Sequence, residues 1–297
     1  MSTWGATADA SARRTPRTAG VGLRLPHLAE VVATRPRVAW FEIHPENFLA
    51  NPHACELLQE VSQHYPISVH TVGISIGSTE GIDRVHLARL RGLVDALEPV
   101  LVSGHLAWST HQGAYLNDLL PLPYDDETLA VVAAHLSEVQ EGLGRRYLVE
   151  NPSSYVGFGS STMTEAEFLC ELVRRTGCSL LCDVSNVYLS ARNMGYDPYQ
   201  FIDALPVNAV HELHPGGFTS EPDEATPGGE VLIDTHAAGV AEPVWELYAH
   251  AVRRFGLQPT LVEWDNDIPP FTTLAAEAIR ADEVATMTQK DSRALAG

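Results

Sequence analysis

Imidazole and carboxylate side chains recur in this chain at the ends of short apolar runs, positions from which they could share a cation. His70 falls near the end of PISVHTV (66–72), His105 sits in VLVSGHLAW (100–108), and Glu150 nearly closes RYLVEN (146–151). Asp183 and Asn186 end SLLCDVSN (179–186), His214 ends NAVHELH (208–214), and Glu263 and Asp265 end PTLVEWD (259–265). Asp234 and His236 follow in the loop before the last crossover. VAWFEIH (38–44) contributes His44, with Glu46 and Asn47 just beyond it. A single buried His or Asp is usually a hydrogen-bonded core group. Several together are costly to bury unless cations or hydrogen-bond partners compensate. A multivalent cation would offset the mutual repulsion of Glu150, Asp183, Asp234 and Glu263. With no thiolate cluster, structural zinc is disfavoured, and mixed imidazole and carboxylate ligation suits iron, manganese or catalytic zinc. Four histidines (His70, His105, His214, His236) and four carboxylates exceed the needs of one ion, so two or three ions are expected.

These side chains need a scaffold that brings strand ends together. With GVGLRL near position 20, there are eight short β-rich runs, separated by stretches with apolar residues at three- and four-residue spacing. Several of those stretches begin at Asp, Thr or a nearby Pro and end at Gly, as capped helices do. Continuous apolar strands alternating with helices indicate an α/β fold, a (β/α)8 TIM-like barrel with chemistry at the C-terminal ends of its strands. An open doubly wound sheet is the alternative, but no GxGxxG follows the first strand. Residues 216–234, rich in Gly, Pro and acids, read as a long loop.

The chain has 297 residues, 38 acidic against 19 basic, and a formal charge of −19. Phosphate contact needs clustered Lys and Arg, so nucleic acid and anionic membranes are poor partners. No apolar run approaches the roughly 18 residues of a membrane span. Residues 1–19 read as a disordered leader without the apolar core of a secretory signal, residues 20–283 as one barrel, and 284–297 as a flexible tail. Four cysteines without a CxxC pair suit a reducing cytoplasm. Strand alternation points Cys182 away from the barrel interior, as a packing residue.

The segments FEIHPENF, SVHTVGISIGS, SGHLAWS, VENPSSY, LLCDVSNVYLSARN, ELHPGGF, IDTHAAGVAEPVWELY and LVEWDNDIP, in this order, resemble the DUF692 family. These are the multinuclear non-heme iron-dependent oxidative enzymes (MNIO) that modify ribosomally made peptides. The resemblance runs from about residue 20 to residue 280. It implies a TIM-like barrel with two or three iron ions of mixed Fe(II)/Fe(III) valence and dioxygen as co-substrate. The implied substrate is a precursor peptide, modified at Cys or at another residue, and a small partner protein presents it in many members. The metal centre itself would carry the chemistry. By the same resemblance His70, His105, Glu150, Asp183, Asn186, His214, Asp234, His236 and Glu263 match the family's metal ligands, with Glu150 bridging two ions. Two of the motifs depart from the family pattern. Ser185 stands where an asparagine is common, and Gly217 and Phe218 stand where the motif usually reaches a second histidine.

Asn151, Ser153 and Asp265 are expected to orient the ligands, the alternative for the first two being loop caps. Glu46, Asn47, Trp108 and Tyr155 are candidates for gripping a substrate at the mouth, although Trp108 and Tyr155, like Tyr188 and Trp264, could equally pack the core. His53, His64, His86, His135 and His250 fall in helical stretches and read as surface or packing residues. Two other functions compete. One is a zinc or manganese barrel isomerase or phosphodiesterase of the xylose isomerase or endonuclease IV type, against which the charge and the ordered motifs argue. The other is a non-catalytic peptide-binding or metal-carrying module.

Overall fold

Each of the eight apolar runs contains one strand of a closed parallel barrel in the computed structural model, which describes residues 16–223 and 228–296. In chain order β1 (Ala19–Gly22), β2 (Phe41–Ile43), β3 (Ile67–Thr71) and β4 (Leu101–His105) come first. A hairpin of β5 (Trp108–His111) and β6 (Ala114–Leu120) follows, then β7 (Leu148–Glu150), β8 (Ser179–Asp183) and β9 (Val210–His214). A second hairpin, β10 (Thr219–Pro222) and β11 (Glu230–Ile233), precedes β12 (Thr260–Val262). The barrel closes in the order β1-β12-β9-β8-β7-β4-β3-β2, so the expected (β/α)8 TIM barrel is the fold. Register sets the polar residues side by side: His70 opposite Ser103, His105 opposite Glu150, and Asp183 opposite His214.

Nine helices, α1 (Leu25–Thr34), α2 (Pro52–Ser62), α3 (Arg84–Leu97), α4 (Asp126–Leu143), α5 (Glu165–Thr176), α6 (Val184–Met194), α7 (Pro198–Ala204), α8 (Glu242–Phe255) and α9 (Phe271–Ala296), occupy the described residues. Their ends follow local chemistry. Asp83 and Asp125 cap α3 and α4 by accepting bonds from free backbone N–H groups, and Thr164 and Glu167 form a capping box on α5. Gly144, Gly177 and Gly195 end α4, α5 and α6 in the left-handed region that glycine adopts without strain. Leu90, Leu129, Leu136, Leu172 and Val244 are fully buried on the helix faces turned to the barrel. Cys182 packs in the same core, and all four cysteines are free.

The structure corrects three expectations. Residues 216–234 are not one loop: β10 and β11 pair antiparallel there, from Thr219 opposite Ile233 to Pro222 opposite Glu230. The segment from 284 is not a loose tail but the second half of α9. Ala19 belongs to β1 rather than to a leader, its backbone N–H donating to Asp282 Oδ1 (2.8 Å). The rest of the expected leader, residues 1–15, lies outside the described residues.

Candidate metal centre

Parallel strands that end together place their last side chains in one layer, and three of these meet at Glu150. Its Oε2 lies 3.2 Å from His70 Nε2 and 3.4 Å from His105 Nε2. The His70 ring is oriented by Ser103 Oγ, 2.8 Å from Nδ1, which turns Nε2 towards Glu150. Deprotonated imidazole nitrogens and a carboxylate oxygen at this spacing can share one ion.

A second group adjoins the first. Ligand atoms of Glu150, Asp183, His214 and Glu263 all lie within 4.8 Å of one another, and His214 Nδ1 is 3.3 Å from Glu263 Oε1. Asp183 also caps α6: its Oδ1 accepts the Asn186 N–H (2.7 Å), which leaves Oδ2 without a partner. The Asn186 carboxamide donates to the Asn151 carbonyl (3.1 Å), so its Oδ1 is likewise left over. Ser185 ties α6 to the segment after β9 through bonds with the Gly216 backbone, filling the position where an asparagine is common.

The hairpin β10–β11 brings in the remaining pair. His236, held in the left-handed region with its N–H on Gly217 O (3.0 Å), sets Nε2 2.8 Å from Asp234 Oδ1 and 3.4 Å from Glu263 Oε2. Gly216 permits this approach, because a Cβ there would come within 2.7 Å of the His236 ring. Phe218 packs near Tyr188, with ring centroids 5.7 Å apart.

Four polar residues in or below this layer were not singled out as ligands or orienting groups from the sequence. Glu42, Glu212 and Arg24 are almost completely buried, and His44 lies partly buried beside Glu263 and Asp265. Strand periodicity was the available signal: Glu42 and His44, like Glu212 and His214, are two residues apart and so face the same side. Arg24 donates to Asp265 Oδ1 through Nε (2.6 Å) and lies 3.1 Å from His44 Nε2.

Electrostatics follow from burying these groups together. Burial pushes Glu150 and Asp183 well above the ordinary carboxylate range, and the charge of Glu263 adds to the shift. Burial lowers His70 strongly, and takes His105 and His44 down to about 4. Burial also opposes protonation of His214 and His236, but the carboxylates beside them outweigh it and hold both well above the ordinary histidine value. Glu263 is held low despite burial by those two imidazoles.

Eight of the nine residues matched to metal ligands (all but His70) present a buried nitrogen or oxygen atom with no hydrogen-bond partner. Buried polar atoms are nearly always satisfied in folded proteins, so such a concentration fits a donor set for cations. The other candidates lie around it. Asn151 holds the Asp183 backbone rather than an imidazole, donating to its carbonyl and accepting its N–H. Ser153 contacts Tyr155 and none of the ligand set, whereas Asp265 faces His44 (3.8 Å) and His236 (3.9 Å). Tyr155 is 42% exposed, and its hydroxyl accepts the Asp234 N–H (2.9 Å). Trp108 is half-buried and donates to Pro121 O. Glu46 accepts from Gly73 N and faces His86, and Asn47 is exposed beside it.

Solved structures share the barrel. A xylose isomerase-like TIM barrel protein from Mycobacterium smegmatis, in complex with magnesium, superposes with a TM-score of 0.62 at 11% identity, covering 91% of this chain and 97% of the other. A D-tagatose 3-epimerase-like protein gives 0.57 at 16%, covering 94% and 100%. Among sequences, a UPF0276 protein of Vibrio parahaemolyticus is 47% identical over 264 residues, 88% of this chain and 90% of its relative. A UPF0276 protein of Chromobacterium violaceum is 45% identical over 269 residues, 91% and 95% of the two chains. The sequence profile described as "RiPP precursor modification enzyme MbnB/TglH/ChrH" matches residues 18–286. The chain belongs to that family, the DUF692 family whose motifs it carries.

Proposed function

We propose that the protein is an iron-dependent, dioxygen-using oxidase that modifies a ribosomally synthesised precursor peptide, at Cys or at another residue. The observation that carries this reading is the set of eight residues with unpartnered buried donor atoms in a chain of this family. Two or three ions would be held, one among His70, His105 and Glu150, one among Glu150, Asp183, His214 and Glu263, and one beside Asp234 and His236, with Asn186 as a further donor. Bound iron would supply the one-electron chemistry and activation of dioxygen that no side chain here provides.

The chain's own residues hold and shape the centre. Glu150 serves two donor groups, which couples them. Ser103 fixes which His70 nitrogen faces Glu150, and Asn151 fixes the backbone that carries Asp183. Tyr155, Trp108, Glu46 and Asn47 would grip the peptide at the mouth. A small partner protein would present that peptide. No helix among the described residues is long and apolar enough to cross a membrane, and four free cysteines fit a reducing cytoplasm.

The test is metal analysis after anaerobic purification with iron supplied, followed by oxygen uptake with the precursor peptide encoded beside the gene. Two or three irons per chain and peptide-dependent oxygen consumption are expected. Zinc alone, with peptide modification undiminished when iron is withheld, would sink the reading.

A further inference from the structure

Below the donor layer lie two carboxylates that the proposed centre does not use. Glu42 on β2 and Glu212 on β9 are both 0% exposed. Ser68 Oγ donates to Glu42 Oε2 (3.0 Å), but Glu42 Oε1 and both Glu212 oxygens have no hydrogen-bond partner. An acid buried this deeply is retained at a cost unless it faces something that needs it. Both face the same atom: His214 Nε2 lies 3.6 Å from Glu212 Oε1 and 3.8 Å from Glu42 Oε2.

The His214 ring thus spans two layers. Its Nδ1 belongs to the upper group, 3.3 Å from Glu263 Oε1 beside Glu150 and Asp183. A neutral imidazole has one lone pair and one N–H. If Nδ1 gives its lone pair to a cation, Nε2 must carry the hydrogen, and a buried N–H needs an acceptor. Glu212 and Glu42 are the carboxyl acceptors on that side. Both separations exceed a hydrogen bond, and closing the shorter one takes a side-chain shift of under about 1 Å.

We propose that Glu212, backed by Glu42, is a positioning residue that holds His214 with its Nε2–H turned inward and its Nδ1 lone pair facing the metal. This rests on the reading of the upper layer as a metal centre. Carboxylates placed behind metal-binding imidazoles orient the ring and raise its basicity, and removing one typically weakens metal binding by about 10–100-fold.

The test uses the full chain, iron(II) added anaerobically, and a competing chelator. Glu212→Leu is expected to bind the same number of ions about 10–100-fold more weakly, with unchanged far-UV circular dichroism. Glu212→Gln, which keeps an acceptor oxygen, should recover most of the affinity. Equal affinity in Glu212→Leu and the parent chain would overturn the proposal. So would loss of one whole ion at unchanged affinity for the rest, because Glu42, Glu212 and His214 would then form a cation site of their own. Should Glu212→Leu not fold, nitrogen-15 NMR of the zinc-loaded parent chain decides. His214 should show hydrogen on Nε2 and metal on Nδ1, and the opposite tautomer refutes the proposal. A parent chain that binds no metal at all removes the proposed function itself, an outcome distinct from failure of the Glu212 variants alone.

Discussion

Asn151 and Asp183 are locked together across neighbouring strands: the Asn151 carboxamide accepts the Asp183 N–H and donates to the Asp183 carbonyl, both at 3.0 Å. Because Asp183 also caps α6, this pair sets where strand becomes helix at the centre of the donor layer. Asn151→Ala leaves a buried N–H and a buried C=O unpaired, at a cost of about 1–3 kcal/mol. Urea unfolding should show that loss together with weaker metal binding, whereas unchanged stability would mean that water replaces the carboxamide.

His105→Ala and Asp183→Ala should each lower the number of ions recovered per chain while far-UV circular dichroism stays native. Each removes one donor from a cluster that the barrel holds by its apolar packing. Metal content equal to the parent's in both variants would show the ligand assignment to be wrong.

Metal affinity should rise with pH. Glu150, Asp183, His214 and His236 all have folded-state values raised above their ordinary ones, so each must shed a proton before it can ligate. Glu263 is held low, is already ionised, and adds no slope. In the metal-stripped chain the same four groups contribute stability that is fully present below their ordinary values and is lost as pH rises through the raised ones. The carboxylates start this loss above 4.5 for Glu150 and 3.8 for Asp183, and Glu263 opposes it at acid pH. The lowered His70, His105 and His44 oppose it up to their ordinary value of 6.5, so the net loss shows above that value. Stability curves with and without metal should therefore diverge as pH rises. Parallel curves, or affinity independent of pH, would contradict the assignment.

Arg24, just after β1, is tied to the segment after β12 through Asp265, with His44 alongside. Arg24→Leu leaves a largely buried Asp265 without its guanidinium and should destabilise the fold by about 3 kcal/mol. Arg24→Leu paired with Asp265→Asn should recover part of that loss, measured by thermal unfolding. If the single variant were neutral, the ion pair would carry no net stability.

The two hairpins were the least legible part of the fold. In β6 the segment Ala114–Leu120 is mostly exposed, so it lacks the buried apolar run that marked every barrel strand. The Gly- and Pro-rich flanks of β10 and β11 hid two short strands held mainly by each other. The final helix was missed from 284 onward because its polar, weakly patterned sequence gives little amphipathic signal, although Ala285 and Thr288 are buried.

By itself the sequence determined the alternation of eight strands and helices, because burial on both faces writes apolar runs and caps write helix ends. It also carried the residue types and order of the donor set and, through them, the family. Tertiary structure alone decided which of those side chains meet. Barrel closure sets β12 between β1 and β9, which brings Glu263 against both His214 and His236, and strand register stacks Glu42 and Glu212 beneath His214. The physical reason is that periodicity along a strand gives each residue a face, whereas distances between strands far apart in sequence depend on register and closure.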